Sequence, residues 1–91
     1  MTLDRDFNLR EIAGQYMLIA EGVRNISMNA ILSLNESAAW LWRRASEESG
    51  EFTEEDMVEW MLSEYDAPRE VLVHDVHEMV KSWIEYGIIR K

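Results

Sequence analysis

The hydrophobic period of this chain changes at Asn35, and this change limits the fold more than any other sequence feature. Before Asn35, short runs of β-branched, aromatic and long apolar residues alternate with polar or glycine-containing breaks, a pattern typical of strands. After it, apolar residues recur at three- and four-residue spacing, as on the buried face of a helix. The sequence therefore predicts strands followed by helices, and its 91 residues suffice for one domain, residues 1–91, with a modest core.

Three strands are predicted in the first part of the chain. They are Phe7–Ala13, Tyr16–Ala20 and Ala30–Leu34, with a tight turn at Gly14-Gln15 joining the first two. In the third strand, alternation places the even-numbered residues on one face and the odd-numbered residues on the other. We expect an antiparallel meander with one face packed on helices and the other partly solvated.

Two shorter helices follow. The first is predicted to begin with Asn35 or Ser37 as its N-terminal cap and to end near Ser46. The second has a complete start signal, in which Thr53 is the cap and Asp56 closes a capping box.

The third helix is the longest and is predicted from about Pro68 to Tyr86, with Gly87 after its end. One stripe has the spacing of a core-facing side: Leu72, Val76, Met79 and Trp83. A neighbouring stripe is also largely apolar: Val73, His77, Val80 and Ile84. The apolar surface is wider than one core contact requires. The predicted class is α+β, a winged helix-turn-helix-like arrangement of a three-stranded antiparallel sheet followed by three helices.

The charge distribution argues against nucleic acid as a partner. The chain carries a net charge of −9, and residues 47–91, with thirteen acidic and four basic residues, account for all of it. Phosphate binding needs clustered Lys and Arg, which this half of the chain lacks. No stretch is apolar and long enough for a membrane span, and the N-terminus is unlike a signal peptide, so we expect a cytoplasmic protein that does not bind membranes.

The chemistry-bearing residues do not form a recognisable catalytic or metal-binding pattern. The absence of cysteine excludes disulfides, zinc fingers and thiol catalysis by this chain. His74 and His77 share a helix face with nearby carboxylates, but the spacing is not that of a zinc-protease helix and is better explained as a solvated surface. We expect no catalytic residues, no cofactor and no metal site.

An edge strand is the feature best suited to binding. In a three-stranded meander, Ala30–Leu34 lies at the edge, and its unpaired backbone groups can accept another strand. An extended peptide can add there while its side chains contact Val73, His77, Val80 and Ile84. Pairing of the same edge with a second copy of the chain, or cover by the C-terminal tail, is an equal alternative on the pattern alone.

Two runs of sequence resemble a known family. They are Leu9–Ile19 and Ile31–Trp42, and the junction Leu34–Ala39 (Leu-Asn-Glu-Ser-Ala-Ala) is the most specific piece. With Phe52–Asp56 and Trp83–Ile89 in the same order, the chain is similar to the PqqD family, named for coenzyme pyrroloquinoline quinone biosynthesis protein D.

The resemblance implies a non-enzymatic domain that binds the leader of a ribosomally made precursor peptide between its third strand and third helix. It also implies a modifying enzyme as partner, of the radical S-adenosylmethionine type. Carried over by position, the peptide-binding residues are Ala30, Ile31, Leu32, Ser33 and Leu34 of the strand and Val73, His77, Val80 and Ile84 of the helix. The alternatives are a winged-helix DNA-binding regulator, opposed by the acidic third helix, and a homodimeric scaffold.

Overall fold

The computed structural model describes residues 1–20 and 31–91 of the chain. In chain order the elements are β1 (Thr2–Leu3), β2 (Phe7–Ile12), β3 (Gln15–Ala20), β4 (Ile31–Leu34), α1 (Glu36–Ser46), α2 (Glu54–Glu64), α3 (Arg69–Glu85) and β5 (Ile89–Arg90). Strands β2, β3 and β4 form one antiparallel sheet in that order, and β1 pairs with β5 in a separate two-stranded ribbon. The predicted class, α+β with a three-stranded antiparallel sheet followed by three helices, is confirmed.

The hairpin between β2 and β3 turns one residue earlier than predicted. Ile12 pairs with Gln15, so the two loop residues are Ala13 and Gly14, and Gln15 already belongs to β3. Both loop residues have positive φ, 53° for Ala13 and 80° for Gly14. Two-residue hairpins favour turns with positive φ at both positions, and here the glycine occupies the second position rather than the first.

Strand β4 is the third strand predicted from the sequence. It pairs with β3 from Ile31, opposite Ile19, to Leu34, opposite Tyr16. The predicted start at Ala30 lies outside the described residues. The predicted alternation is confirmed, because Leu32 is partly buried against the core whereas Ile31 is exposed.

The helix starts are set by the predicted caps. The Asn35 side chain accepts a hydrogen bond of 2.8 Å from the backbone N–H of Ala38 at the start of α1. At α2, the Thr53 hydroxyl accepts from the backbone N–H of Asp56 at 3.1 Å, and the Asp56 carboxylate accepts from that of Thr53 at 2.9 Å. Such reciprocal bonds satisfy donors that have no partner within the helix, so α1 and α2 begin where their sequences direct.

Helix α3 supplies much of the core. Pro68 precedes its first residue, and Gly87 follows it with φ of 80°. Of the predicted core stripe, Leu72, Val76 and Trp83 are buried, and Met79 is half-buried and packs on the same cluster. The largest fully buried side chains come from both the sheet and the helices: Trp83, Leu18, Leu41, Met57, Ile88, Val76 and Val80.

The two ends of the chain are joined by contacts that no sequence pattern predicts. Thr2 lies opposite Arg90 in the β1–β5 ribbon. The Arg90 guanidinium donates to the carboxylate of Asp4 at 2.8 and 3.1 Å, and Asp4 is only 9% exposed. No helix in the described parts of the chain is long and apolar enough to cross a membrane.

Candidate functional site

Strand β4 lies at one end of the three-stranded sheet, and β2 lies at the other. Among residues 1–20 and 31–91, its only strand neighbour is β3. We call the side of β4 that faces away from β3 the open edge. Backbone N–H and C=O groups on such an edge are the groups to which an added strand forms its hydrogen bonds.

The two faces of β4 have different surroundings. Leu32 and Leu34 are partly buried and pack on the core cluster. Ile31 and Ser33 are exposed on the opposite face, and Ile31 is the most exposed large apolar side chain described, at 58%. The side chains of a peptide bound at the open edge would therefore alternate between the two faces of the sheet. Those on the inner face would lie beside Leu32 or Leu34, and those on the outer face beside Ile31 or Ser33.

A row of paired residues crosses the outer face of the sheet to Ile31. Asn8 on β2 pairs with Ile19 on β3, which pairs with Ile31 on β4. Asn8 and Ile31 are exposed and Ile19 is partly buried, so the row becomes apolar towards the open edge and ends there in an exposed apolar side chain. The contribution of Ile19 was missed in the sequence, although the period-2 alternation of β3 is the signal that places it on this face.

Helix α1 begins directly after β4. Leu34 is the last strand residue, and Asn35 is both the link and the cap of α1. Ala38 and Ala39 in the first turn are buried, so the helix packs closely beside the strand. This short link fixes the direction of β4, because the strand cannot shift along β3 without moving a capped and buried helix end.

The second apolar stripe of α3 divides into buried and exposed residues. Val73 is 47% exposed, whereas Val80 is 2% exposed and belongs to the core cluster. Ile84 is half-buried and also packs on that cluster. Val80, which the sequence predicts to contact the peptide, is thus enclosed in the core, because α3 buries a wider arc than the stripe nearest the core.

His77 lies on the side of α3 that faces α2. Its Nδ1 is 3.0 Å from Oε1 of Glu54 in the first turn of α2. Arg69, at the start of α3, also reaches α2, with one nitrogen 2.6 Å from Oε1 of Glu59. The structure thus joins the polar members of this side of α3 to α2, and it does not bring His77 into contact with β4 by any bond described.

The exposed surface of α3 is acidic. Glu70, Asp75, Glu78 and Glu85 are all exposed. A helix inserted into the major groove would bring these carboxylates towards phosphates, which repel them. This surface is unsuited to the role of a DNA recognition helix.

A surface depression of about 450 Å³ lies along α1. It is lined by Trp40, Arg43, Arg44, Ser46 and Glu47. Both arginines rest over aromatic rings, Arg43 at 5.3 Å from the centre of the Tyr16 ring and Arg44 at 4.4 Å from that of Trp60. Cation–π contacts of this kind occupy the guanidinium groups in packing, so the depression has few groups aimed at a ligand.

The titratable groups do not form a reactive cluster. No set of three or more His, Asp or Glu side chains within the described residues is placed to hold a metal ion. Burial raises the pKa of the Tyr65 hydroxyl, and the carboxylates of Glu36 and Glu64 raise it further, so the phenol stays neutral at physiological pH. A neutral phenol packed edge-to-face on Trp40 has a structural role in this arrangement.

The comparisons with known proteins agree with this geometry. The family model described as coenzyme PQQ synthesis protein D (PqqD) matches residues 14–89. No curated protein matches the chain.

Two solved structures have a similar fold. One is TbiB1 in complex with the TbiA(beta) leader peptide, with 13% identity, a TM-score of 0.71, and coverage of 97% of this chain and 93% of that one. The other is lasso peptide synthetase B1 complexed with the leader peptide, with 19% identity, a TM-score of 0.69, and coverage of 98% and 95%. At these identities the likeness is one of fold, and it extends over nearly the whole of each chain.

Proposed function

The chain belongs to the family of coenzyme PQQ synthesis protein D, and on that premise we propose that it binds the leader segment of a ribosomally made precursor peptide and presents it to a modifying enzyme. The leader adds as a fourth strand to the open edge of β4. The observation that supports this most directly is that edge, which has β3 as its only strand neighbour in the described parts of the chain. Strand β2 has the same single neighbour, and the family resemblance, which assigns the peptide to the third strand, favours β4 over β2.

Each side of β4 contributes differently to the proposed complex. Backbone groups of Ile31–Leu34 give affinity that is independent of the leader sequence, because every peptide carries the same N–H and C=O groups. The side chains of β4 then select among leader sequences, and Leu32 and Leu34 form part of the surface that the peptide contacts on the core side of the sheet. Two structures of similar fold hold leader peptides, which supports a peptide as the ligand.

The helix contributors of the proposed site are Val73, His77 and Ile84. Val73 is the accessible apolar residue among them, and Ile84 is half-buried. The Nδ1 atom of His77 is engaged by Glu54, which leaves Nε2 as the ring nitrogen available to a peptide group, so we expect its contribution to be limited to one hydrogen bond. Val80 supports the site from the core without touching the peptide.

The partner enzyme in this proposal is of the radical S-adenosylmethionine type, as the family resemblance implies. The chain itself supplies no catalytic residue, cofactor or metal, and it acts in the cytoplasm, where precursor peptides are made. Its role is to raise the local concentration of the precursor at the enzyme.

The proposal is tested by titrating the full chain with synthetic peptides that span the leader of the precursor encoded beside its gene. We expect one window to bind with a Kd of about 1 µM or tighter, which corresponds to about −8 kcal/mol. Absence of binding by every window would overturn the proposal.

Amide hydrogen exchange then locates the bound peptide. Because an added strand covers the N–H groups that point from one edge, alternate amides within Ile31–Leu34 should become protected. The amides of β2, at the other side of the sheet, serve as the internal control and should not change. Protection at β2 instead of β4 would contradict strand addition at the open edge.

The same open edge also favours a second candidate, pairing of β4 with β4 of another copy. Two four-residue strands would give a small interface, so such a dimer should be weak and should dissociate when the leader occupies the edge. Light scattering at two protein concentrations, with and without the leader window, separates the two candidates. A dimer that persists with leader bound would mean that the edge is not the leader site.

A further inference from the structure

We infer that Ile31 is a specificity-determining residue, and that it selects leaders with an apolar, β-branched or aromatic side chain at an outward-facing position of the bound strand. This inference rests on the proposed function and deepens it. It concerns the outer face of the sheet, whereas the core-side wall formed by Leu32 and Leu34 lies on the other face.

Ile31 has an exposed position on the outer face of the sheet. It lies at the start of β4, where its partner across the sheet is Ile19. Its side chain is 58% exposed, although contact of an isoleucine side chain with water is unfavourable. The other outward-facing residue of β4 is Ser33, whose side chain is polar. The apolar surface on the outer side of β4 is therefore concentrated at Ile31.

An added strand would place one of its residues beside Ile31. A fourth strand at the open edge extends the row formed by Asn8, Ile19 and Ile31 by one residue. The side chain of that residue stands about 5 Å from the Ile31 side chain, on the same outer face. An apolar side chain there would cover Ile31 on the side that β3 leaves open.

The outer face of β4 changes in character along the strand. The neighbouring row consists of Arg10, Met17 and Ser33, so the leader residue that extends it meets a hydroxyl. Ser33 can donate to or accept from a polar side chain, and it offers little apolar area. We therefore expect the outward positions of the leader to differ, with an apolar residue beside Ile31 and a polar or small residue beside Ser33.

The matched control for Ile31 is Ile12. It lies on β2, at the far side of the same sheet, and is 48% exposed. Both residues are isoleucines in strands and both are large exposed apolar groups. Only Ile31 lies on the strand to which the leader is proposed to add, so a general effect of surface hydrophobicity would appear equally at both positions.

The test compares the Ile31→Thr and Ile12→Thr variants of the full chain, with the binding leader window as the probe. Threonine keeps the branch at Cβ and hence the preference for strand conformation, so both variants should fold. Ile31→Thr should raise the Kd about fivefold, in the range of a cross-strand apolar pair, whereas Ile12→Thr should leave it within about twofold. An unchanged Kd for Ile31→Thr, or an equal rise for Ile12→Thr, would overturn the inference.

A substitution series in the peptide identifies the partner residue. Each leader position is changed to Ala and titrated against the original protein and against Ile31→Thr. One apolar position should lose affinity against the original protein and lose clearly less against Ile31→Thr, because the pair is already broken. If the losses of binding free energy were additive at every leader position, Ile31 would not contact any leader residue in a way that affects affinity.

The outcomes also separate this inference from the proposed function. Failure of every window to bind the original protein removes the proposed function, and the role of Ile31 with it. Binding by the original protein together with an unchanged Ile31→Thr variant leaves the proposed function in place and removes only the role of Ile31.

Discussion

Val73 and Val80 are the same side chain in opposite surroundings on α3. Val80 is 2% exposed and lies in the core cluster, whereas Val73 is 47% exposed. A difference of seven residues corresponds to nearly the same angle around a helix, so helical periodicity places the two valines on one stripe. The two valines differ because other parts of the fold cover α3 at Val80 and leave it uncovered at Val73. Helical periodicity gives only the angle around the helix and cannot predict this difference.

We expect Val80→Asp to lower the free energy of unfolding by more than about 3 kcal/mol, because it places a carboxylate without a partner in the core. Val73→Asp, the matched control, should change it by no more than about 0.5 kcal/mol. Urea unfolding followed by tryptophan fluorescence measures both. Similar stability of the two variants would mean that Val80 is not enclosed as described.

The β2–β3 hairpin shows how an element can be predicted while its turn is misplaced. Alternation in Phe7–Ile12 and Gln15–Ala20 is a local signal, and the structure contains both strands. The turn was expected at Gly14-Gln15 because a glycine most often marks the strained position. It lies at Ala13-Gly14, since the pairing of Ile12 with Gln15 fixes the loop, and Ala13 adopts φ of 53°.

Positive φ at Ala13 gives a prediction for this hairpin. An L-residue with a Cβ loses about 1 kcal/mol in the left-handed region, and asparagine tolerates it better. Ala13→Asn should therefore raise the free energy of unfolding by about 0.5–1 kcal/mol, and Ala13→Val should lower it. Thermal unfolding by circular dichroism distinguishes the two directions. Equal midpoints for the two variants would contradict the strained turn.

Helix boundaries were the most accurate part of the prediction, and the reason is local chemistry. The caps at Asn35 and Thr53 act on backbone groups within three residues, so a short sequence window contains the whole cause. The candidate site was predicted less completely. The described strand residues, Ile31–Leu34, alternate between two faces as predicted. Burial of Val80 and the link between His77 and Glu54 were not predicted, because they depend on how α2 packs against α3.

At the scale of the whole molecule, the β1–β5 ribbon was not predicted. Each of its strands has two residues, which is too few for a hydrophobic period, and the partners Thr2 and Arg90 are separated by nearly the whole chain. Asp4 is buried beside this ribbon, where its carboxylate accepts from Arg90 and from the backbone N–H of Asp6. Long-range pairing of this kind becomes visible only when the core is assembled.

We expect Arg90→Gln to lower the free energy of unfolding by about 1 kcal/mol. The loss is moderate because the Arg90 side chain is 56% exposed and Asp4 keeps its bond from Asp6. Lys91→Gln removes the same charge from the adjacent exposed residue and should have almost no effect. Urea unfolding measures both, and equal changes would indicate an effect of net charge rather than of the Asp4 contact.

The pairing of Thr2 with Arg90 means that the backbone could be made circular. In a ring made from these 91 residues, Lys91 and Met1 would join the two strands. Because the backbone of Met1 bonds to that of Phe52 in both directions, inserted glycines would be needed to form the loop. Cyclisation would restrict the unfolded chain far more than the folded one, so the ring should tolerate higher temperatures than the linear form. Since the ring bond would lie in the β1–β5 ribbon rather than in the β2–β3–β4 sheet, strand β4 would stay available in such a molecule.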